Sequence, residues 1–128
     1  MPRKSLGVMT ESMFYTIMAF QAGPQCGIEI AAYVEKLTAG RVLLGPGTLY
    51  TILSKFQEVG YLRETAVEGR KRTYELTAEG RRAYANELVR LRQCIADAKA
   101  AADRVMEEGG DRLEGTDPYT ALAPVPAL

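Results

Sequence analysis

The chain of 128 residues contains no histidine. That removes the commonest general base and the commonest zinc ligand at a stroke. It has only two cysteines, Cys26 and Cys94, far apart in sequence. Two separated thiols cannot build a four-ligand zinc site, and no Asp-x-Asp cluster offers a carboxylate alternative, so no metal and no cofactor are expected. No apolar run approaches the ~20 residues that cross a bilayer. The opening Met-Pro-Arg-Lys-Ser lacks the apolar stretch of a secretory signal, so a cytoplasmic location with reduced thiols is expected. There is no nucleophile–base pair and no phosphate-cradling glycine loop, and an enzyme is therefore not expected.

Net charge is absent too: 16 Lys and Arg balance 16 Asp and Glu. The distribution is uneven. Residues 1–82 hold 11 basic against 8 acidic side chains, and residues 83–128 hold 5 against 8. The positive surplus therefore lies in the first part of the chain. A hydrophobic content of 47% is enough for one small core and excludes a wholly disordered chain.

The periodicity of the apolar residues divides the chain into elements. Residues 1–8 read as an arm carrying Arg3 and Lys4. Met13, Phe14, Ile17 and Met18 predict a helix from Thr10, its N-cap, to Ala22, stopped by Gly23-Pro24. Ile30, Ala31, Val34 and Leu37 predict a second helix over 26–38. Arg41 to Leu44 is expected to be extended and to offer a short strand to a later hairpin. A third helix starts near Pro46, whose missing N–H costs nothing in a first turn. Leu49, Ile52, Leu53 and Phe56 form its buried stripe, and Gly60 caps it. Residues 61–67 and 70–76 have strand composition, with Glu68-Gly69 as the turn between them.

From Thr77 to Glu108 a long helix is expected. Tyr84, Leu88, Leu91, Ile95, Ala98, Ala102 and Val105 recur at heptad spacing along it. Such a helix would be roughly 48 Å long, more than the core of the same chain can cover. Its partner is expected to be a second copy of the chain. Residues 109–128, rich in proline and glycine, read as a disordered tail.

Helix, hairpin and basic turn in that order are the parts of a winged helix-turn-helix. The expected fold is mainly α with a small β-hairpin wing and a long C-terminal dimerisation helix. It divides into a DNA-binding domain over 1–76, the dimerisation helix over 77–108 and the tail over 109–128. Small hydroxyl side chains on the outer face of the third helix allow close approach to a groove, and a helix N-terminus favours phosphate. Arg70, Lys71 and Arg72 follow the hairpin turn, where cations would meet a nucleic-acid backbone.

The segments Gly47-Thr-Leu-Tyr50, Phe56-Gln-Glu-Val-Gly60-Tyr-Leu62 and Glu68-Gly-Arg-Lys-Arg-Thr-Tyr74-Glu-Leu-Thr77-Ala-Glu-Gly80 resemble the PadR family of bacterial transcriptional regulators. Gly27-Ile-Glu-Ile30 is similar to a further segment of that family. The single long C-terminal helix is similar to its compact branch. The resemblance implies a homodimeric, sequence-specific DNA-binding repressor on a near-palindromic operator of double-stranded DNA, released by a small hydrophobic or aromatic effector. By position it implies DNA reading by Thr48, Tyr50, Thr51 and Lys55. Gly69, Arg70, Lys71 and Arg72 would form the wing, and Arg3 and Lys4 would add contacts from the arm. Tyr74 would pack under the wing. The effector position would fall at Phe14, Leu88, Leu91 and Ile95, with Glu11, Glu87 and Arg92 as polar neighbours. The sequence departs from the family pattern at Gln57, where an acid is common, and has no tryptophan in the last helix. Two other readings share the pattern: a regulator similar to the MarR or ArsR classes, and a winged-helix module that binds protein.

Overall fold

The computed structural model describes residues 6–109. Helix α1 spans Glu11–Met18, and its last turn tightens into a 3-10 turn over Ala19–Ala22. The Thr10 hydroxyl accepts from the Met13 amide at 3.2 Å, the expected N-cap. Strand β1 is only Gln25–Cys26, helix α2 spans Gly27–Leu37, and helix α3 spans Pro46–Glu58. Strands β2 (Leu62–Glu68) and β3 (Lys71–Leu76) form the hairpin, and helix α4 runs over Ala78–Gly109. The fold expected from the sequence is the one observed, apart from one strand.

That strand was expected at Arg41–Leu44, yet the third strand of the sheet is β1, in the antiparallel order β1-β3-β2. Residues 41–44 instead form an irregular segment tied back to α2. The Thr38 hydroxyl accepts from the Val42 amide at 3.0 Å, and Val42 and Leu44 are buried while Leu43 points outward. Gln25 pairs with Tyr74 and Cys26 with Thr73, so the start of α2 is bonded to the stem of the hairpin.

Ile17, Ile30, Val34, Leu53 and Phe56 are fully buried and bring α1, α2 and α3 around one core, which Leu62, Tyr74 and Leu76 extend under the hairpin. Two helix ends set the connections. After α3, the Gly60 amide bonds to the Gln57 carbonyl and the Tyr61 amide to that of Phe56, with Gly60 at φ 84°. This Schellman geometry turns the chain straight into β2. After α2 the same pair of bonds forms, from Ala39 to Lys36 and from Gly40 to Glu35, but the place held by Gly60 is taken by Ala39, left-handed at φ 52° and followed by Gly40 at φ 81°.

The start of α4 is knotted against the end of α3. The Thr77 amide bonds to the Tyr61 carbonyl at 3.0 Å, and the Thr77 hydroxyl accepts from the Gly80 amide at 3.1 Å while donating to the Gly60 carbonyl. Gly80 is required there, since a Cβ on it would lie 2.2 Å from the Tyr61 carbonyl oxygen. Farther along, the ring of Tyr84 stacks on Phe14 of α1, with centroids 5.5 Å apart. The buried Glu87 carboxylate accepts from the Met9 amide at 2.8 Å, just ahead of the α1 cap. The chain divides into two compact units, one ending at Val89 and the other beginning at Arg90 within α4. Among the described residues no helix is long and apolar enough to cross a membrane.

Candidate nucleic-acid interface

Helix α3 turns Leu49, Ile52, Leu53 and Phe56 inward, which leaves Gly47, Thr48, Tyr50, Thr51, Ser54 and Lys55 exposed on its other side. Its first turn carries no side-chain cap, so Gly45, Pro46 and Gly47 present a smooth backbone at the positive end of the helix. The Thr51 hydroxyl donates to the Gly47 carbonyl at 2.9 Å. Its proton is committed, and Thr51 offers an incoming group only acceptor lone pairs and a methyl.

The wing stands beside this face. Gly69 and Arg70 form a two-residue loop, and Gly69 has φ 63°, as a hairpin loop with glycine first requires. Between the wing, the start of α2 and one side of α3 lies an open groove of ≈ 960 Å³. From α3 it takes Tyr50, Leu53, Ser54 and Gln57, four positions at helical spacing. Gly69, Arg70, Lys71 and Arg72 form the opposite wall, with Tyr74 between, and Ile28 stands at the α2 end.

Carboxylates adjust these cations. Arg72 Nη1 lies 3.2 Å from Glu64 Oε2 across the hairpin, and Arg63 pairs with Glu75. Among the described residues neither Arg70 nor Lys71 is in an ion pair. Glu29 accepts from the Cys26 amide at 2.8 Å, closing the first turn of α2. That backbone bond, helped by the Cys26 thiol and the charge of Lys71, holds the Glu29 carboxyl below its ordinary value of 4.5. Burial pushes the Tyr74 phenol above its ordinary value, and the negative charge of Glu64 adds to the shift.

The sequence profile of the Transcriptional regulator PadR-like family matches residues 17–86, more than half of the chain. The chain belongs to the PadR-like family. It is thus a member of a family of transcriptional regulators rather than of enzymes, and a DNA-binding regulator is the function class that follows. Among solved structures it is similar to a transcriptional regulator from Clostridium thermocellum, with 19% identity and a TM-score of 0.63 over 73% of this chain and 97% of that one. It is similar to H. salinarum RosR, with 21% identity and a TM-score of 0.58 over 76% of this chain and 99% of that one. It is similar also to Bacillus subtilis PadR, solved in complex with operator DNA, with 18% identity and a TM-score of 0.56 over 62% of this chain and 48% of that one. At these identities the likeness is one of fold. No curated protein sequence matches significantly.

In this PadR-like chain the structure brings Tyr50, Gly69, Arg70, Lys71 and Arg72 together around one groove. Thr48, Thr51 and Lys55 are exposed on α3 but do not line that groove. Arg3, Lys4 and the tail beyond Gly109 lie outside the described residues. Of the residues the resemblance implied for an effector, Phe14 is engaged by the Tyr84 ring and Leu88 is half-buried. Leu91 and Ile95 belong to the second unit, where Ile95 is 58% exposed. On the heptad stripe Tyr84, Leu88, Leu91 and Ala102 are half-buried, while Ala98 and Val105 are exposed along with Ile95.

Sequence reasoning did not single out Ile28, Glu29 or Glu64 as parts of this site, and it noted Gln57 only as a departure from the family pattern. Gln57 was legible in principle, because it is i+7 from Tyr50. Ile28 carried a usable signal as well, an isoleucine off the apolar face of its helix. Glu64 carried none, because its position beside Arg72 depends on strand register.

Proposed function

We propose that this chain is a homodimeric, sequence-specific DNA-binding repressor acting in the cytoplasm. The observation that carries the reading is the juxtaposition of the open face of α3 with a wing whose Arg70 and Lys71, among the described residues, are not held in ion pairs. A helix with a bare, glycine-containing first turn can enter the major groove closely, where base edges are distinguishable. Thr48, Tyr50, Thr51 and Lys55 then meet bases and phosphates, and the wing cations track the backbone beside them. The arm with Arg3 and Lys4 adds to these contacts.

The partner copy is proposed from α4. It carries an apolar stripe of Leu91, Ile95, Ala98, Ala102 and Val105 on a helix of 32 residues, and Ile95 and Val105 are solvent-exposed in the isolated chain. Packing that stripe against its own copy would place two α3 helices on successive major grooves about 34 Å apart. A small hydrophobic or aromatic effector would release the DNA by favouring a different spacing. It can do so only through a difference in affinity between the two arrangements.

The test is binding of the purified protein to the DNA just upstream of its own gene, at two salt concentrations, against a scrambled duplex. Tight, sequence-dependent and salt-sensitive binding supports the reading. Equal binding to both duplexes refutes sequence-specific regulation at that site and directs attention to a protein partner.

A further inference from the structure

We infer that Glu64 is an internal competitor for Arg72, so that the wing offers DNA two available cations rather than three. The inference rests on the DNA-binding reading. It starts from the register of the hairpin. Glu64 lies opposite Tyr74, whereas Ala66 lies opposite Thr73 and Val67 opposite Arg72. Thr65 is thus the extra residue of a β-bulge, and its hydroxyl is bonded to the Thr73 carbonyl at 3.3 Å. A bulge re-aims the side chains around it. Glu64 ends on the same face of the hairpin as Tyr74 and Arg72, the face that lines the groove with α3.

The two partners are not equally held. The Glu64 side chain is 28% exposed and that of Arg72 is 61% exposed. The carboxylate is the more covered member of the pair and the guanidinium the more exposed one. A phosphate arriving at the wing must take Arg72 from Glu64, and doing so leaves an uncompensated carboxylate facing the DNA backbone. Glu64 therefore occupies the place a phosphate would take. The sequence Arg70-Lys71-Arg72 reads as three equivalent phosphate ligands, but the third is neutralised within the hairpin. Arg63 and Glu75 repeat the pairing on the opposite face, away from Tyr74.

The experiment is the salt dependence of DNA binding for the full chain and three variants, on the upstream duplex and on its scrambled counterpart. Each cation made available to a phosphate steepens the slope of log K against log salt by about 0.9. Glu64→Gln keeps size and hydrogen bonding but removes the charge. It should steepen the slope by about 0.9 and tighten binding roughly eightfold at 0.1 M salt relative to the 1 M limit, both counted per protomer, on both duplexes. The double variant Glu64→Gln with Arg72→Ala should return to wild-type slope and affinity, because the pair acts as a neutral unit. Glu75→Gln should move the slope by less than half as much.

An unchanged or flatter slope in Glu64→Gln overturns the inference. So does a double variant clearly weaker than wild type, which would make Arg72 a phosphate ligand in spite of its partner. An equal shift in Glu75→Gln overturns it as well, because the effect would then be one of net charge. A wild-type chain that binds neither duplex in a salt-dependent way fails the DNA-binding reading itself and removes the inference with it.

Discussion

Replacing Gly80 by alanine tests the knot at the start of α4, because helix propensity and packing predict opposite signs there. Glycine inside a helix costs about 1 kcal/mol relative to alanine, so propensity alone predicts stabilisation. The surroundings predict the reverse. An alanine Cβ would lie 2.2 Å from the Tyr61 carbonyl oxygen and 2.9 Å from Leu76 Cδ2. The oxygen belongs to backbone that is fixed by the Schellman turn after α3, so it cannot rotate away. Relief requires α4 to move off Tyr61. That movement stretches the bond from the Thr77 amide to Tyr61 and the one from the Thr77 hydroxyl to Gly60. Each such hydrogen bond contributes about 1 kcal/mol. Overpacking a filled site costs about 1–3 kcal/mol more. Subtracting the propensity gain leaves a net loss of about 2–4 kcal/mol. With a urea dependence of about 1–3 kcal/mol per molar, the denaturation midpoint should fall by roughly 1 M or more. The assay is urea unfolding followed by circular dichroism at fixed protein concentration, since association would add to apparent stability. A Gly80→Ala midpoint equal to or above that of wild type would refute the account of this contact.

Gly47→Ala is the matching control: nothing lies within 4 Å of its Cβ, so stability should rise by up to about 1 kcal/mol, while DNA affinity should fall if α3 enters a groove backbone-first. Ala39→Gly should raise the urea midpoint by an amount worth up to about 1 kcal/mol, because it relieves a left-handed residue at the end of α2. Glu29→Gln tests linkage. The folded-state pKa of Glu29 is lowered, so its contribution is present above the ordinary value of 4.5 and lost as pH falls through the lower folded value. Wild-type stability should therefore drop more steeply than that of Glu29→Gln below about pH 4.5, measured by urea midpoints across that window. Leu91→Glu should abolish the proposed dimer by placing like charges across the α4 seam, and sedimentation showing an intact dimer would rule that seam out.

The parts legible in the sequence were those whose signal is local. The apolar stripe of α3 between Pro46 and Gly60 carries both its boundaries and its buried face within fifteen positions. The hairpin follows from a change of period at Gly60 and a second glycine at Gly69. The strand β1 was not legible. Gln25-Cys26 is too short to show a period, and it becomes a strand only because β3, almost fifty residues later, offers unpaired groups beside it. The segment 41–44 has strand composition but spends its bonding capacity on Thr38. In the site, Tyr50 and the wing were foreseeable from motif and order. The pairing of Arg72 with Glu64 was not, since a single extra residue at Thr65 decides which side chains face each other. The last helix showed its stripe plainly, but a stripe records that a surface is to be covered without saying by what.

The two-residue strand β1 has a mechanical consequence. Gln25 and Cys26 stitch the beginning of α2 to Tyr74 and Thr73, and Tyr61 ties the end of α3 to the start of α4. The helix that would read bases and the stem of the hairpin beside it therefore cannot tilt independently. Beyond Ala66 and Thr73 the hairpin runs on as two strands without that third one. The start of α2 and the stem of the hairpin thus form one braced block, from which the tip of the wing projects.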